Sequence, residues 1–198
     1  MKKIVLSLLL IAVLVVALGA VMSVGDYNDL VALDESVNGA WSQVENVYQR
    51  RADLIPNLVA TVKGAAGFEQ ETLQAVVEAR AQVGQTTIDG PPTAEQLASF
   101  EATQGALSSA LSRLLVVVER YPELKATQAF RDLQVQLEGT ENRIAVERRR
   151  FNEAARLYNT ARRRFPTNLV AGLLGFESRP YFEADEGAAD APTVDFSA

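Results

Sequence analysis

The stretch WSQVENVYQRRADLIPNLVATVKG, residues 41–64, decides the fold because its apolar side chains return at helical spacing. Successive positions of the stripe are three, four or seven residues apart, which places them on one face of an α-helix. The stripe includes Trp41, Val44, Tyr48, Ile55 and Leu58. Most of the other positions carry polar residues. The spacing therefore predicts a long amphipathic helix that buries one face against partner helices.

The stripe extends beyond this stretch, from residue 30 to residue 66. Pro56 lies inside it and removes one backbone hydrogen bond, so a kink is expected just before that residue. Gly64 and Gly67 then predict a turn, followed by a shorter amphipathic helix.

A second part of the chain follows a break at residues 84–92 (GQTTIDGPP). Thr93, with Gln96 three places later, predicts a capping box at the start of the next helix. The last apolar stripe contains no proline between residues 123 and 165, which predicts one helix of roughly 65 Å. Strand signals are nearly absent. The predicted fold is all-α, an elongated antiparallel four-helix bundle with long, coiled-coil-like helices.

The amino end carries an uncharged stretch that begins at Ile4 and ends at Val24. As a helix it would span roughly 31 Å, the thickness of a bilayer's hydrocarbon core. Two lysines precede it and acidic residues follow it, which favours a cytoplasmic amino end and a domain outside the cytoplasm. The stretch thus predicts a single-pass anchor in the cytoplasmic membrane, with membrane lipid as its partner. A removable signal peptide with small residues near Gly19 and Ala20 is the alternative, and the length of the stretch favours the anchor.

Three parts follow from these patterns. Residues 1–25 are predicted to form the transmembrane anchor, and residues 26–182 the helical bundle domain. Residues 183–198 are acidic, rich in alanine and without a core pattern, so they predict a disordered tail.

Composition narrows the classes of function. The 19 basic and 25 acidic residues give a net charge of −6 at pH 7, which disfavours a nucleic-acid partner. The chain has no histidine and no cysteine. Histidine is the most versatile acid or base near neutral pH, and both residues are preferred ligands of zinc and other soft metals. We therefore expect a non-catalytic protein with no cofactor, no metal and no evident small-molecule substrate.

Two polar groups lie close to the buried stripes of the first and last helices. Their members are Arg50, Arg51, Asp53 and Asn57 in the first helix and Glu138, Glu141, Asn142 and Arg143 in the last. If these helices lie side by side, an arginine of the first group can pair with a glutamate of the second. One interpretation is a buried polar layer that fixes helix register, because a shifted register would leave a charge unpaired. The other is a charged binding notch. The absence of a nucleophile–base pair favours the register layer.

A basic concentration ends the last helix, at Arg162, Arg163 and Arg164. These arginines are candidates for contact with anionic lipid head groups or with the acidic tail of a neighbouring molecule. The alternative, which the position favours, is a solvated last turn, where cations oppose the negative end of the helix dipole.

The stretch at residues 41–64, YPELKA at 121–126 and LQVQLEGTENRIAVE at 133–147 resemble the LemA family of bacterial membrane-anchored helical proteins. The resemblance covers nearly all of residues 27–182. It implies a short cytoplasmic amino end, one transmembrane helix and an extracytoplasmic antiparallel helical bundle. The family as a whole has no assigned catalytic activity. One branch is associated with magnetosome membranes, and no residue here points specifically to that branch.

The leading functional hypothesis is a scaffold or adaptor in the bacterial cell envelope, with another envelope protein or further copies of the chain as partner. One alternative is a membrane-shaping assembly that uses residues 168–176 (NLVAGLLGF) as an interfacial wedge. The alternative from another class is an envelope hydrolase whose carboxylates are Asp53, Glu138 and Glu141. Motifs of the GxSxG and HExxH types are absent from the sequence, which makes the hydrolase the weaker hypothesis.

Overall fold

A computed structural model describes residues 2–64, 68–85, 88 and 90–183, with side chains before residue 24 described only in part. Within these ranges the regular structure is entirely helical, which confirms the predicted all-α class. The helices are α1 (Lys2–Lys63), α2 (Gln70–Val83), α3 (Ala94–Val118), α4 (Pro122–Lys125), α5 (Gln128–Arg163) and α6 (Thr167–Leu174).

The longest helices, α1 and α5, lie side by side and run in opposite directions. Trp41 of α1 contacts Phe151 of α5, whereas Arg51, later in α1, contacts Glu141, earlier in α5. Helix α2 packs against both α1 and α3, and α6 packs against α1 and α5.

The structure shows which contacts form at the helix ends for which the sequence carries signals. The Gln96 amide donates to Thr93 Oγ1 at 3.2 Å and the Thr93 amide donates to Gln96 Oε1 at 2.9 Å, which confirms the predicted capping box. Pro122 occupies the first turn of α4. Helix α1 continues through Pro56 to its end at Lys63.

The prediction of one helix across residues 123–165 is wrong, because two helices, α4 and α5, occupy this region. Thr127 separates them. Its Oγ1 donates to the Leu124 carbonyl oxygen at 2.8 Å and accepts from the Phe130 amide at 3.3 Å. The hydroxyl thus bonds a backbone carbonyl at the end of α4 and a backbone amide that the first turn of α5 leaves without a partner inside the helix.

Among the side chains that the structure describes, no helix offers an apolar span long enough to cross a membrane. Most side chains of the predicted anchor, residues 1–25, lie outside that set. The anchor therefore stays a prediction. The predicted acidic tail, residues 183–198, lies outside the described residues except for Glu183.

The buried apolar side chains form two clusters along the helices. The proximal cluster, nearer the start of α1, includes Leu30, Trp41, Val44, Phe100, Phe151 and Tyr158. The distal cluster includes Ile55, Leu58, Leu107, Leu114, Phe130 and Leu137. On α1 the proximal cluster ends at Tyr48 and the distal cluster begins at Ala52, so Arg51 stands at the boundary between them.

Candidate functional site

Arg51 is buried at the boundary of the two clusters, with 1% of its surface exposed. Its Nη1 donates to Glu141 Oε1 at 2.6 Å and to Ser108 Oγ at 2.8 Å. Its Nη2 donates to Gln104 Oε1 at 2.6 Å and to the Gln104 carbonyl oxygen at 3.3 Å. One guanidinium therefore binds side chains of both α3 and α5, and we call these four residues the arginine layer.

The electrostatics of the arginine layer are asymmetric. The Glu141 side chain is 50% exposed, so water reaches the carboxylate while the guanidinium is buried. Removing a cation from water costs several kcal/mol unless hydrogen bonds and an opposite charge offset it. The guanidinium also lies 5.0 Å from the centre of the Tyr48 ring, within the range of a cation–π contact.

Burial raises the pKa of the Tyr48 phenol above its usual value, because the ionised form loses hydration. The positive charges of Arg148 and Arg51 act in the opposite direction and offset part of this effect. Tyr48 is therefore neutral wherever the helices are folded at physiological pH.

The predicted polar residues are divided between the interior and the surface. The structure brings Arg51 and Glu141 together, and it leaves the remaining members exposed: Arg50, Asp53, Asn57, Glu138, Asn142 and Arg143. Two residues that the prediction did not include, Gln104 and Ser108 of α3, complete the arginine layer. Gln104 carried a usable signal, because it occupies a buried position in the apolar stripe of α3.

The carboxylates of the hydrolase hypothesis have separate partners. Asp53 follows Arg51 by two residues, so it projects roughly 200° around α1 from the buried guanidinium. Its Oδ1 accepts from Gln49 at 2.8 Å, and Glu138 accepts from Gln134 at 3.1 Å. Within the described ranges, acidic side chains form no cluster of three that could hold a metal ion.

A groove of about 620 Å³ opens between α3 and α5 beside the arginine layer. Leu111, Leu115 and Leu137 supply apolar lining, and Glu138 and Glu141 place acidic groups along it. Its mixture of apolar and acidic groups suits an amphipathic segment with basic residues.

The arginines at the end of α5 differ in exposure. Arg162 is partly buried, and its Nε donates to the Phe176 carbonyl oxygen at 2.7 Å. Arg163 and Arg164 are exposed, and Arg163 Nε has a long 3.4 Å contact with the Asn159 carbonyl oxygen of its own helix. Arg162 thus holds the chain after α6, whereas the other two side chains reach the surface.

The chain after α6 returns along the helices as an extended segment, residues 175–183, which we call the C-terminal strap. Two asparagines of α5 pair with its backbone. Asn159 donates to the Arg179 carbonyl oxygen at 2.7 Å and accepts from the Arg179 amide at 2.9 Å. Asn152 bonds Phe182 in the same way, at 2.9 and 2.8 Å. Each amide satisfies both backbone groups of one strap residue, which would otherwise be costly to bury.

Side chains of the strap also enter the proximal cluster. Phe182 is 5% exposed, with its ring centre 6.3 Å from that of Trp41 and 5.4 Å from that of Phe151. Arg179 forms an ion pair of 2.7 Å with Asp34 of α1. The strap therefore completes the core between α1 and α5, and no sequence pattern had predicted it.

Tyr158 of α5, a residue of the proximal cluster, also forms a hydrogen bond with the strap. Its hydroxyl donates to the Glu177 carbonyl oxygen at 2.8 Å. Burial raises the pKa of this phenol, and the negative charge of Asp34 acts in the same direction. The neutral phenol remains available as a hydrogen-bond donor.

These features define an all-α protein in which a buried arginine layer and a returning strap join the long helices α1 and α5. The chain belongs to the LemA family, whose family model matches residues 40–196, and this confirms the resemblance seen in the sequence.

Relatives of the chain carry two kinds of name. It is 28% identical to magnetosome protein MamQ 2 of Paramagnetospirillum magneticum, over 95% of this chain and 75% of that protein. It is 27% identical to magnetosome protein MamQ of Magnetospirillum gryphiswaldense, over 85% of this chain and 68% of that protein. Protein LemA of Metamycoplasma hominis is 25% identical over 82% of this chain and 71% of its own length. Because the identities to the MamQ proteins and to protein LemA are similar, these names do not assign the chain to one branch of the family.

Proposed function

We propose that this chain is a non-catalytic, membrane-tethered scaffold or adaptor of the bacterial cell envelope. The observation that carries the proposal is the continuity of α1, which runs from Lys2 to Lys63 without a break. The uncharged stretch and the central helix of the domain are therefore one rod with no flexible linker between them. A bilayer that holds residues 4–24 would fix the orientation of everything packed on α1.

The dimensions suit a scaffold that presents a partner away from the lipid. From residue 25 to its end, α1 extends for roughly 57 Å. The groove between α3 and α5 lies alongside this rod, next to the arginine layer. We propose this groove as the docking surface for an amphipathic segment of another envelope protein, whose basic residues would meet Glu138 and Glu141.

Photo-crosslinking in intact cells tests the proposal. A photoreactive amino acid is placed at Ser112, which lines the groove, and a matched control is placed at Gln74 on the exposed side of α2. The groove position should give a reproducible crosslinked partner by mass spectrometry, and the control should not. Equal products from both positions, or no product from either across growth conditions, would argue against a scaffold that uses this groove.

Membrane shaping is the second candidate function, and the exposed leucines of α6, Leu169, Leu173 and Leu174, favour it. A shaping protein and a scaffold differ in what they do to vesicles. Full-length protein reconstituted at high density should convert spherical vesicles into tubules if it shapes membranes, and electron microscopy would detect the change. Vesicles that stay spherical at every density would leave the scaffold as the supported function.

A further inference from the structure

Helix α6 exposes an apolar face that nothing within the described residues covers. The helix contains no charged residue, and it buries Val170 and Ala171 against its neighbours. Leu169, Leu173 and Leu174 are 63%, 86% and 54% exposed. The water-facing side of a surface helix is ordinarily polar. Three exposed leucines in a helix of eight residues therefore indicate that this face contacts something other than water.

The position of α6 along α1 identifies that environment. Its first residue, Thr167, donates to Asp26 Oδ1 at 2.9 Å. Just beyond its end, the Phe176 ring meets the Tyr27 ring edge-on, with centres 5.8 Å apart. Both ends of α6 are therefore fixed at the level of residues 26–27, immediately after the uncharged stretch ends at Val24.

The apolar surface is continuous from one helix to the other. Val24 and Tyr27 share an open cavity of about 500 Å³ with Leu169, Leu173 and Leu174. Within the uncharged stretch itself, the described side chains of Ile4, Leu9, Leu10 and Ile11 are 57–66% exposed. We therefore expect the exposed apolar side chains of the uncharged stretch and those of α6 to lie in the same surroundings.

We propose that α6 is an interfacial element that lies in the head-group layer of the bilayer holding residues 4–24, with its exposed leucines at the acyl boundary. This inference rests on the proposed function, because it needs the uncharged stretch in lipid. Residues 26–27 lie roughly 3–5 Å along α1 beyond Val24, and a head-group layer is about 5–7 Å thick. Exposed Arg163, the last residue of α5, and Arg164, which follows it, would meet anionic phosphates at this level.

The area of the face also favours lipid over a second copy of the chain. The three leucines expose on the order of 400 Å², about half of the roughly 800 Å² that each partner buries in a standard interface. An interfacial helix has no such threshold, because its binding scales with the apolar area buried and adds to an existing anchor.

Single-cysteine labelling tests the proposal in the full-length protein, which contains no native cysteine. Leu173→Cys, Leu10→Cys and Val135→Cys each receive an environment-sensitive fluorophore. The side chain of Val135 on α5 is 66% exposed and serves as the matched control, because it lies in the half of α5 that packs beside the distal cluster. The proteins are reconstituted in vesicles of phosphatidylethanolamine and phosphatidylglycerol, with quenchers placed either on the lipid or in the water.

The label at 173 should be quenched several-fold more strongly by shallow lipid-bound quenchers than the label at 135, and should be protected from aqueous iodide. Lipid quenching at position 10 with full iodide access at 173 would overturn this inference and leave the tether intact. Full iodide access at both positions 10 and 173 would overturn the tether, and this inference with it. Protection at 173 that depends on protein density, without lipid quenching, would assign the face to a second copy and overturn the proposal.

Discussion

Replacing Glu141 with Gln tests whether the arginine layer holds the helices in register. Glu141 is the carboxylate that pairs with the buried guanidinium of Arg51, at 2.6 Å. Glutamine keeps the size of the side chain and one oxygen acceptor, so the substitution removes the charge and little else. The buried cation then keeps its hydrogen bonds to α3 but loses its opposite charge on α5.

The expected cost follows from the burial of the two partners. Removing one partner of a fully buried ion pair costs about 3–5 kcal/mol, because the other charge stays buried and uncompensated. Glu141 is 50% exposed, so solvent screens part of the attraction. We therefore expect Glu141→Gln to lower the free energy of unfolding by about 2 kcal/mol, which corresponds to a fall in melting temperature of roughly 4–8 °C for a domain of this size.

Thermal unfolding of the full-length protein in detergent micelles provides the assay. Trp41 is the single tryptophan and is fully buried in the proximal cluster, so its fluorescence reports on the helices around it. Glu138→Gln is the matched control, because Glu138 is exposed three residues away and accepts from Gln134 rather than from an arginine. If both variants melt within about 1 °C of each other, the arginine layer does not stabilise the fold through its charge.

Three further outcomes are expected. Burial raises the pKa of the Tyr48 phenol above 10.0 in the folded protein. The stability that the neutral phenol contributes is therefore complete below the unfolded pKa and is lost as pH rises through the folded pKa. In Tyr48→Phe, the unfolding midpoint should fall less steeply at alkaline pH. Phe182→Ala should cost about 3–5 kcal/mol in denaturant unfolding and shift Trp41 emission to the red, and an unchanged emission would contradict its place in the core. Gly175→Ala should destabilise by about 1 kcal/mol because this residue has a φ of 75°, whereas Gly172→Ala, in the open interior of α6, should not lower the melting temperature.

The four longest helices, α1, α2, α3 and α5, could be predicted from the sequence because each buries one face and so carries apolar residues at helical spacing. The break between α4 and α5 could not be predicted from periodicity. Thr127 starts α5, but the residue three places later is Phe130, not the Glu or Gln of a capping box. A threonine inside a continuous apolar stripe is ambiguous, because the same side chain can bond the preceding turn of an uninterrupted helix.

The pairing of α1 with α5 through an arginine and a glutamate could be proposed from residue types, but the choice among neighbours could not. Successive residues of a helix point about 100° apart, so a rotation of α1 by that angle would exchange Arg50 and Arg51 at the core. Which of them is buried depends on the packing of every other side chain on that face. The participation of Gln104 depends in turn on how α3 is rotated, and that is a property of the assembled helices.

The C-terminal strap was invisible to periodicity because an extended segment that pairs with side-chain amides needs neither a helical nor a strand pattern. In the sequence its trace is the seven-residue spacing of Asn152 and Asn159, which places both amides on one face of α5. Such a pair reads equally well as a solvated helix surface. Only the position of the strap in the folded protein distinguishes these two interpretations.

A match of repeats explains how the strap can follow two helices at once. Its contacts on α1 are Tyr27, Asp34 and Trp41, seven residues apart, and they meet Phe176, Arg179 and Phe182, three residues apart. Seven residues of helix advance about 10.5 Å, and three extended residues advance about 10 Å. The asparagines of α5 repeat with the same period. The strap therefore ties α1 to α5 at several successive levels, and the arginine layer ties them again beyond its end.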